Sequence, residues 1–223
     1  VEPFRRLTAV AAPLDVPDVD TDQIVPARFL SRPRGPEYAR YLFHDLRFTP
    51  AGEERPEFVL NRPAYRGARI LVTAENFGCG SSREMAVWAL RAYGIRAVIA
   101  PSLGDIFRAN CVRNGVVPVV LPREIVAALR AQLHATPGAP VTVDLESETV
   151  TGPDGAVHRF GIDPFHRHLL LRGEDELALT LSYAAAIEAF EQRLAREQAW
   201  VLPGAAGPPA AGSTAPDAQG QPT

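Results

Sequence analysis

The sequence is poor in cysteine, lacks an excess of positive charge and has no long apolar run, and each scarcity removes a class of function. Two cysteines, Cys79 and Cys111, cannot build a disulfide framework and cannot by themselves ligate zinc or an iron–sulfur cluster. No metal site is therefore expected on this chain, and a reducing, cytoplasmic location fits best. The formal net charge of -3 offers no basic stripe to follow a phosphate backbone, so nucleic acid is not an expected partner. No apolar stretch approaches the roughly 18 to 20 residues that cross a bilayer, and the opening VEPFRRLTAVAAPLDV lacks a leader's basic, apolar and small-residue progression. No membrane association is expected. No repeat of fixed period stands out either.

What is present is enough apolar residue for a core: 46% of 223 positions. Ala68 to Ala74 reads as a buried strand, followed by a glycine-rich turn, Glu75 to Gly80, and a helix from near Ser82 to Gly94. Arg96 to Ala100 reads as a second strand, Leu103 to Val112 as a helix stopped by Asn114-Gly115, and Val116 to Leu121 as a third strand. Strand, helix, strand, helix, strand with short links predicts a parallel sheet covered by helices, an α/β core. Further on, Pro122 to His134 reads as helix, Val141 to Glu146 and Ala156 to Phe160 as strands, Asp163-Pro164 as the start of a helix ending near Gly173, and Leu181 to Gln198 as a last long helix. Asp15 to Leu60, rich in Pro and Arg, reads as an extended, function-bearing segment rather than packed scaffold. From Gly204 the chain becomes GAAGPPAAGSTAPDAQGQPT, too poor in large apolar side chains to order itself. The expected division is a domain over residues 1–200 and a disordered tail over 201–223.

The stretch ENFGCGSSRE, residues 75 to 84, has two readings. Ser81-Ser82-Arg83-Glu84 fits a capping box in which Ser81 and Glu84 exchange hydrogen bonds with each other's amides, with Gly78 and Gly80 merely allowing the turn. The same geometry also aims free amides and the positive end of a helix dipole at one small volume, a setting for a carboxylate or phosphate. Arg83 would add a bidentate fork, and a serine beside such a pocket could act as a base if its alkoxide were stabilised. Familiar motifs fit less well. The Rossmann pattern wants a third glycine where Arg83 stands, the P-loop's Gly-Lys-Ser/Thr is absent, and there is no G-x-S-x-G elbow. Cys79 near a helix start is a weaker nucleophile candidate with no histidine nearby in sequence.

A second constellation, Asp18-Val19-Asp20-Thr21-Asp22, reads either as a turn capping its own amides or as an acid and hydroxyl pair that orients a substrate hydroxyl or fixes an arginine. The EF-hand spacing is missing. His166 and His168, two apart on a predicted helix, do not share a face and are poor metal ligands. His44 and His134 show no partner pattern.

Taken together, DVDTDQIVPARFL at 18 to 30, ENFGCGSSRE at 75 to 84 and IAPSLGDIFRANCVRNGVVPVVL at 99 to 121 resemble the small-subunit family of 3-isopropylmalate dehydratase, in the aconitase superfamily. The likeness continues through YLFHDLRF at 41 to 48, FVLNRPAYRGARIL at 58 to 71 and IDPFHRHLLL at 162 to 171, in order and up to about residue 198. The resemblance implies a swivelling β/β/α domain without a cofactor of its own, closing over a large subunit that carries a 4Fe-4S cluster. The implied reaction interconverts 2- and 3-isopropylmalate, 2-hydroxy dicarboxylates of leucine biosynthesis, by dehydration and rehydration.

Carried over by position, the resemblance makes Ser81 the catalytic base and gives Ser82 and Arg83 to the substrate carboxylate. It also places Thr21 and Asp22 at the substrate. Substrate choice would fall to the loop Arg28 to Tyr41, where Arg28, Arg32 and Arg34 are unranked candidates for a further carboxylate contact. One departure stands out: the family's S-S-R-E-H-A becomes Ser81-Ser82-Arg83-Glu84-Met85-Ala86, trading an imidazole for a flexible apolar chain. If the histidine orients the site, activity is lowered or redirected; if it only packs, little changes. The alternatives are a small subunit of a sister hydro-lyase acting on citramalate and citraconate or on homoaconitate, and a non-catalytic paralogue that binds the large subunit.

Overall fold

The structure is a computed structural model that describes residues 1–198 and Trp200. The stretch expected to be disordered, 201–223, lies outside the described residues. Contacts divide the chain into two units, Val1–Glu176 and Leu177–Thr223.

The first unit begins with β1 (Arg6–Leu14), followed by three four-residue helices, α1 (Thr21–Ile24), α2 (Tyr38–Tyr41) and α3 (His44–Arg47). Then come β2 (Ile70–Thr73), α4 (Glu84–Tyr93), β3 (Ala97–Ala100), α5 (Asp105–Arg113), β4 (Val117–Val120) and α6 (Arg123–Ala135). The unit closes with β5 (Pro140–Asp144), β6 (Thr149–Thr151), β7 (Val157–Arg159) and α7 (Pro164–Arg172). The strands among the described residues form one sheet in the order β4-β3-β2-β1-β5-β6-β7.

β1 belongs to both halves of that sheet. Its first residues, Arg6 to Val10, pair antiparallel with Asp144 to Pro140 of β5, while Ala11 to Leu14 pair parallel with Ile70 to Thr73 of β2. The change shows in its burial, which alternates at first and ends in four buried residues, as expected of a strand passing from a half-solvated antiparallel sheet to a covered parallel one. β2 and β3 are buried throughout. The short β7 leaves the sheet with an edge of Val157, His158 and Arg159, of which the first and last are exposed.

The βαβαβ core and the later elements match the sequence reading to within a few residues, with three corrections. β1 and β6 have no counterpart in that reading: Ala11-Ala12-Pro13 is weak in strand propensity, and only its parallel pairing with Ile70 to Val72 of β2 makes it strand. Asp15 to Leu60 is packed scaffold as well as loop, because Ile24, Val25, Tyr38, Leu42 and Phe43 from its short helices are wholly buried against α4 and the sheet. In the second unit the expected single helix from Leu181 is two, α8 (Glu176–Ser182) and α9 (Ala184–Glu197). The Ser182 hydroxyl donates to the Leu179 carbonyl at 2.6 Å, a local bond that competes with helix continuation.

Tyr65 ties the segment before β2 to α6. Its ring is buried and its hydroxyl donates to the Leu133 carbonyl at 2.7 Å. Tyr65→Phe leaves that carbonyl without its donor and is expected to lower stability by about 1–3 kcal/mol, read as a lower urea midpoint at unchanged slope.

Candidate active site

Three segments leave the carboxyl ends of adjacent parallel strands and meet there: the loop after β1, the turn after β2 and the loop after β3. This is where open α/β sheets commonly bind ligands. The turn after β2 is stitched to the loop after β1 by Asp18 N–H to the Glu75 carbonyl at 3.0 Å, Gly78 N–H to Val19 at 2.7 Å and Thr21 N–H to Cys79 at 3.0 Å. On its other side, Phe77 N–H donates to Ser102 at 3.2 Å and Gly104 N–H to Phe77 at 3.0 Å.

Glycine is required where these segments touch. Gly78 has φ of +75°, and a Cβ there would lie 2.2 Å from Cγ of Phe107; a Cβ on Gly104 would lie 2.4 Å from the Gly78 carbonyl oxygen. The ring of Phe107 thus supports the turn from below, edge-on to Phe77 at 5.4 Å between centroids.

Over this floor lies a cleft of about 300 Å³ lined by Thr21, Gly78, Cys79, Gly80, Ser81, Arg83, Gly104, Asp105, Ile106 and Phe107. It takes residues from the N-terminal ends of α4 and α5, so unpaired helix amides and two positive dipole ends are available to an anion, while Asp105 adds one carboxylate to the rim. The Thr21 hydroxyl donates to the Ser81 carbonyl at 2.7 Å, holding the backbone of Ser81 and leaving its exposed side chain outward. Arg83 is mostly buried, with 19% side-chain exposure, and its guanidinium pairs with Asp22. A second contact reaches the Val25 carbonyl at 3.5 Å. Asp22 also accepts from the Ala27 amide at 2.8 Å. The bond from Arg83 is the main cause holding the Asp22 carboxyl below its usual range, against the effect of its partial burial.

The sequence-predicted residues are thus brought together unequally. Thr21, Ser81 and Arg83 line one cleft; Asp22 stands behind Arg83; Ser82 is exposed and does not line the cleft. The capping box does not form. α4 starts at Glu84, its N-cap Arg83 makes no side-chain cap, and the Glu84 carboxylate accepts instead from the Asn114 amide at 2.8 Å. A box does form at α1, where Asp20 and Gln23 exchange bonds at 2.7 and 2.9 Å. The acidic run therefore does both jobs open in the sequence, with Asp20 capping and Asp22 fixing an arginine.

The start of α5 was missed as part of the site, although Pro101 to Asp105 repeats the strand, glycine turn and helix pattern of the segment before α4. Cys79 makes a poor nucleophile: burial, then Asp20 and Asp18, push its thiol up from the ordinary value. Of the arginine candidates, Arg28 is engaged by Asp45 and Arg34 by Asn114. His44 sits beside that first pair, and His134 bonds Asp15 at 2.6 Å.

The family model of the aconitase C-terminal domain matches residues 1–124, and that of LeuD_N matches 127–164. A 3-isopropylmalate dehydratase small subunit from Parvibaculum lavamentivorans is 50% identical over 201 residues, covering 90% of this chain and 100% of the relative. One from Rhodospirillum centenum is 50% identical over 202 residues, 91% and 100% covered. The chain belongs to the 3-isopropylmalate dehydratase small-subunit family. A crystal structure of 3-isopropylmalate dehydratase from Methanocaldococcus jannaschii matches with a TM-score of 0.59 at 27% identity, covering 83% of this chain and 99% of the other. The mixed sheet and its helices are accordingly the swivelling β/β/α domain of the aconitase superfamily.

Within this family member, Met85 is half-buried and packs against the hydrophobic core, so the position is a packing one here. The donor chemistry does not fit an iron–sulfur cluster: Cys111 is wholly buried with its thiol pushed far up by that burial, and no group of three His, Cys, Asp or Glu among the described residues could hold a metal. No helix among the described residues is long and apolar enough to cross a membrane.

Gly78→Ala is expected to cost about 1–3 kcal/mol through the clash with Phe107 and the positive φ, measured by urea unfolding. A second expectation concerns acid. Because the folded-state value of Asp22 is depressed, its pairing with Arg83 stabilises the fold above the unfolded carboxyl pKa of about 4 and is lost as pH falls through the folded value. The stability difference between wild type and Asp22→Asn should be constant near neutrality and shrink below about pH 4, in unfolding curves taken at a series of pH values.

Proposed function

We propose that this chain works as the small subunit of a 3-isopropylmalate dehydratase, a hydro-lyase of leucine biosynthesis that interconverts 2- and 3-isopropylmalate when joined to its large subunit. The observation that supports the reading best is the cleft itself. Residues from two separate motifs, Thr21 and the Ser81–Arg83 turn, converge on a small volume between two helix N-termini, where a dicarboxylate's charge would be neutralised.

In this reading the Arg83 fork, aligned by Asp22 and the Val25 carbonyl, binds a substrate carboxylate. Ser81, its backbone held by Thr21, takes the proton from the carbon beside that carboxylate and returns one on rehydration. The helix dipoles favour the alkoxide this requires. Ser82 sits outside the cleft in the free chain and meets the carboxylate on closure with the partner. The hydroxyl departs from the neighbouring carbon, and no group among the described residues could hold a metal to receive it. A 4Fe-4S cluster on the large subunit would supply that Lewis acid. The two lines of chemistry are thereby divided between two chains, proton and carboxylate here, hydroxyl on the partner.

The test is anaerobic reconstitution with a cluster-loaded large subunit, following the unsaturated acid formed from 2- or 3-isopropylmalate, with citramalate and homocitrate as comparators. Turnover of isopropylmalate is expected only with both chains present. Ser81→Ala and Arg83→Lys should assemble normally yet lose about a hundredfold or more in kcat. Near-wild-type turnover in either variant removes the role assigned to that residue. Reaction of a comparator alone would make the chain a sister hydro-lyase, and assembly without any turnover a non-catalytic paralogue.

A further inference from the structure

The buried carboxamide of Asn114 lies beyond the cleft, and the sequence accounts for it only as a helix stop. Asn114 is 3% exposed, and each end of its side chain is occupied. Its Nδ2 donates to Glu84 Oε1 at 2.8 Å and to the Asn110 carbonyl at 2.9 Å. Its Oδ1 accepts from Arg34 at 3.1 Å. Glu84 is the first residue of α4 and the immediate neighbour of Arg83. The guanidinium of Arg34 also lies 5.0 Å from the centre of the Trp88 ring, one turn further along α4, and the buried Tyr38 meets that ring edge-on at 5.8 Å.

α5 therefore meets the segment 78–84 at both its ends. At its start, Gly104 and Phe107 pack against Gly78; at its end, Asn114 holds Glu84. A nine-residue helix is about 13 Å long and does not stretch, so it fixes the separation of the two ends of the turn that carries Ser81 and Arg83. We propose that Asn114 and Glu84 are a positioning pair for the active-site turn, with Arg34 extending the hold to the 28–41 loop; the proposal rests on reading that turn as the active site. Two consequences follow from the bond. It draws the Glu84 carboxylate away from the reciprocal cap with Ser81, which leaves the Ser81 amide for a ligand. It also pins the start of α4, where no side-chain cap does so.

The role predicts a difference between Glu84→Ala and Glu84→Gln. Gln removes the charge but keeps an acceptor for Asn114, so its behaviour separates the hydrogen bond from any effect of the charge on the helix dipole. Glu84 carries the test because Asn114 is buried and ends α5, so its replacement could unfold the chain. In the isolated chain, amide hydrogen exchange over 84–90 is expected to be about tenfold faster in Glu84→Ala, with other segments unchanged. In the reconstituted complex kcat should fall about 10- to 100-fold while KM moves by less than about threefold. Glu84→Gln should bring both readouts to within about threefold of wild type. Unchanged exchange in Glu84→Ala, or a Gln variant as impaired as the Ala one, would overturn the proposal whatever the turnover. If exchange responds as expected but the wild-type complex does not turn over isopropylmalate, the pair does position the turn and it is the functional reading that fails.

Discussion

The absence of a side chain at Gly78 is the constraint on which the site depends. With a hydrogen there, the Phe107 ring can come directly beneath the turn, and the loops after β1 and β3 can close on it from either side. A methyl group would have to occupy the space of the ring. The ring itself belongs to a run of aromatic contacts from Phe107 through Phe77 to Phe43, so the floor of the cleft is continuous with the hydrophobic core. A polar cleft above a packed aromatic floor keeps its shape without a ligand, because core side chains sit at near-crystalline density and move little.

β1 supplies the second constraint. By pairing parallel on one side and antiparallel on the other, it brings the acidic run 18–22 to the same edge as the Gly78 turn. Asp22 can then hold Arg83 from 61 residues away in sequence, and Thr21 can hold the backbone of Ser81. The ion pair, with Asp22 half-exposed, adds only modestly to stability. The effect of the two contacts is to fix geometry: a guanidinium fork with its direction set, and a serine whose main chain is tethered while its hydroxyl is left outward. Both suit the role proposed for this chain, a carboxylate grip and a base.

The fate of Glu84 shows how tertiary contacts override a local signal. S-x-x-E is a sound capping box on its own terms, worth about 1 kcal/mol to an isolated helix. The buried Asn114 amide has two N–H donors, and with one given to the Asn110 carbonyl the other needs Glu84; leaving a buried donor unsatisfied costs about 1–3 kcal/mol. The box that does form, at Asp20 and Gln23, is an exposed one.

The sequence by itself determined the parallel core, because Ala68 to Leu121 alternates apolar runs of strand length with helices ended by glycine or asparagine, and those signals are local. It also singled out Ser81, Arg83, Thr21 and Asp22, which stand in motifs whose order and spacing are themselves the resemblance, and the fold brings the first three to one cleft with Asp22 bonded to Arg83. The tertiary structure alone decided that β1 is a strand, because Ala11-Ala12-Pro13 has little propensity until β2 pairs with it. It alone decided that Asp15 to Leu60 buries Tyr38, Leu42 and Phe43, that α5 lends its start to the cleft, and that Glu84 bonds Asn114 rather than Ser81. In each case the deciding partner lies far along the chain, and a hydrogen bond or a packed ring between distant residues leaves no periodic trace in either segment.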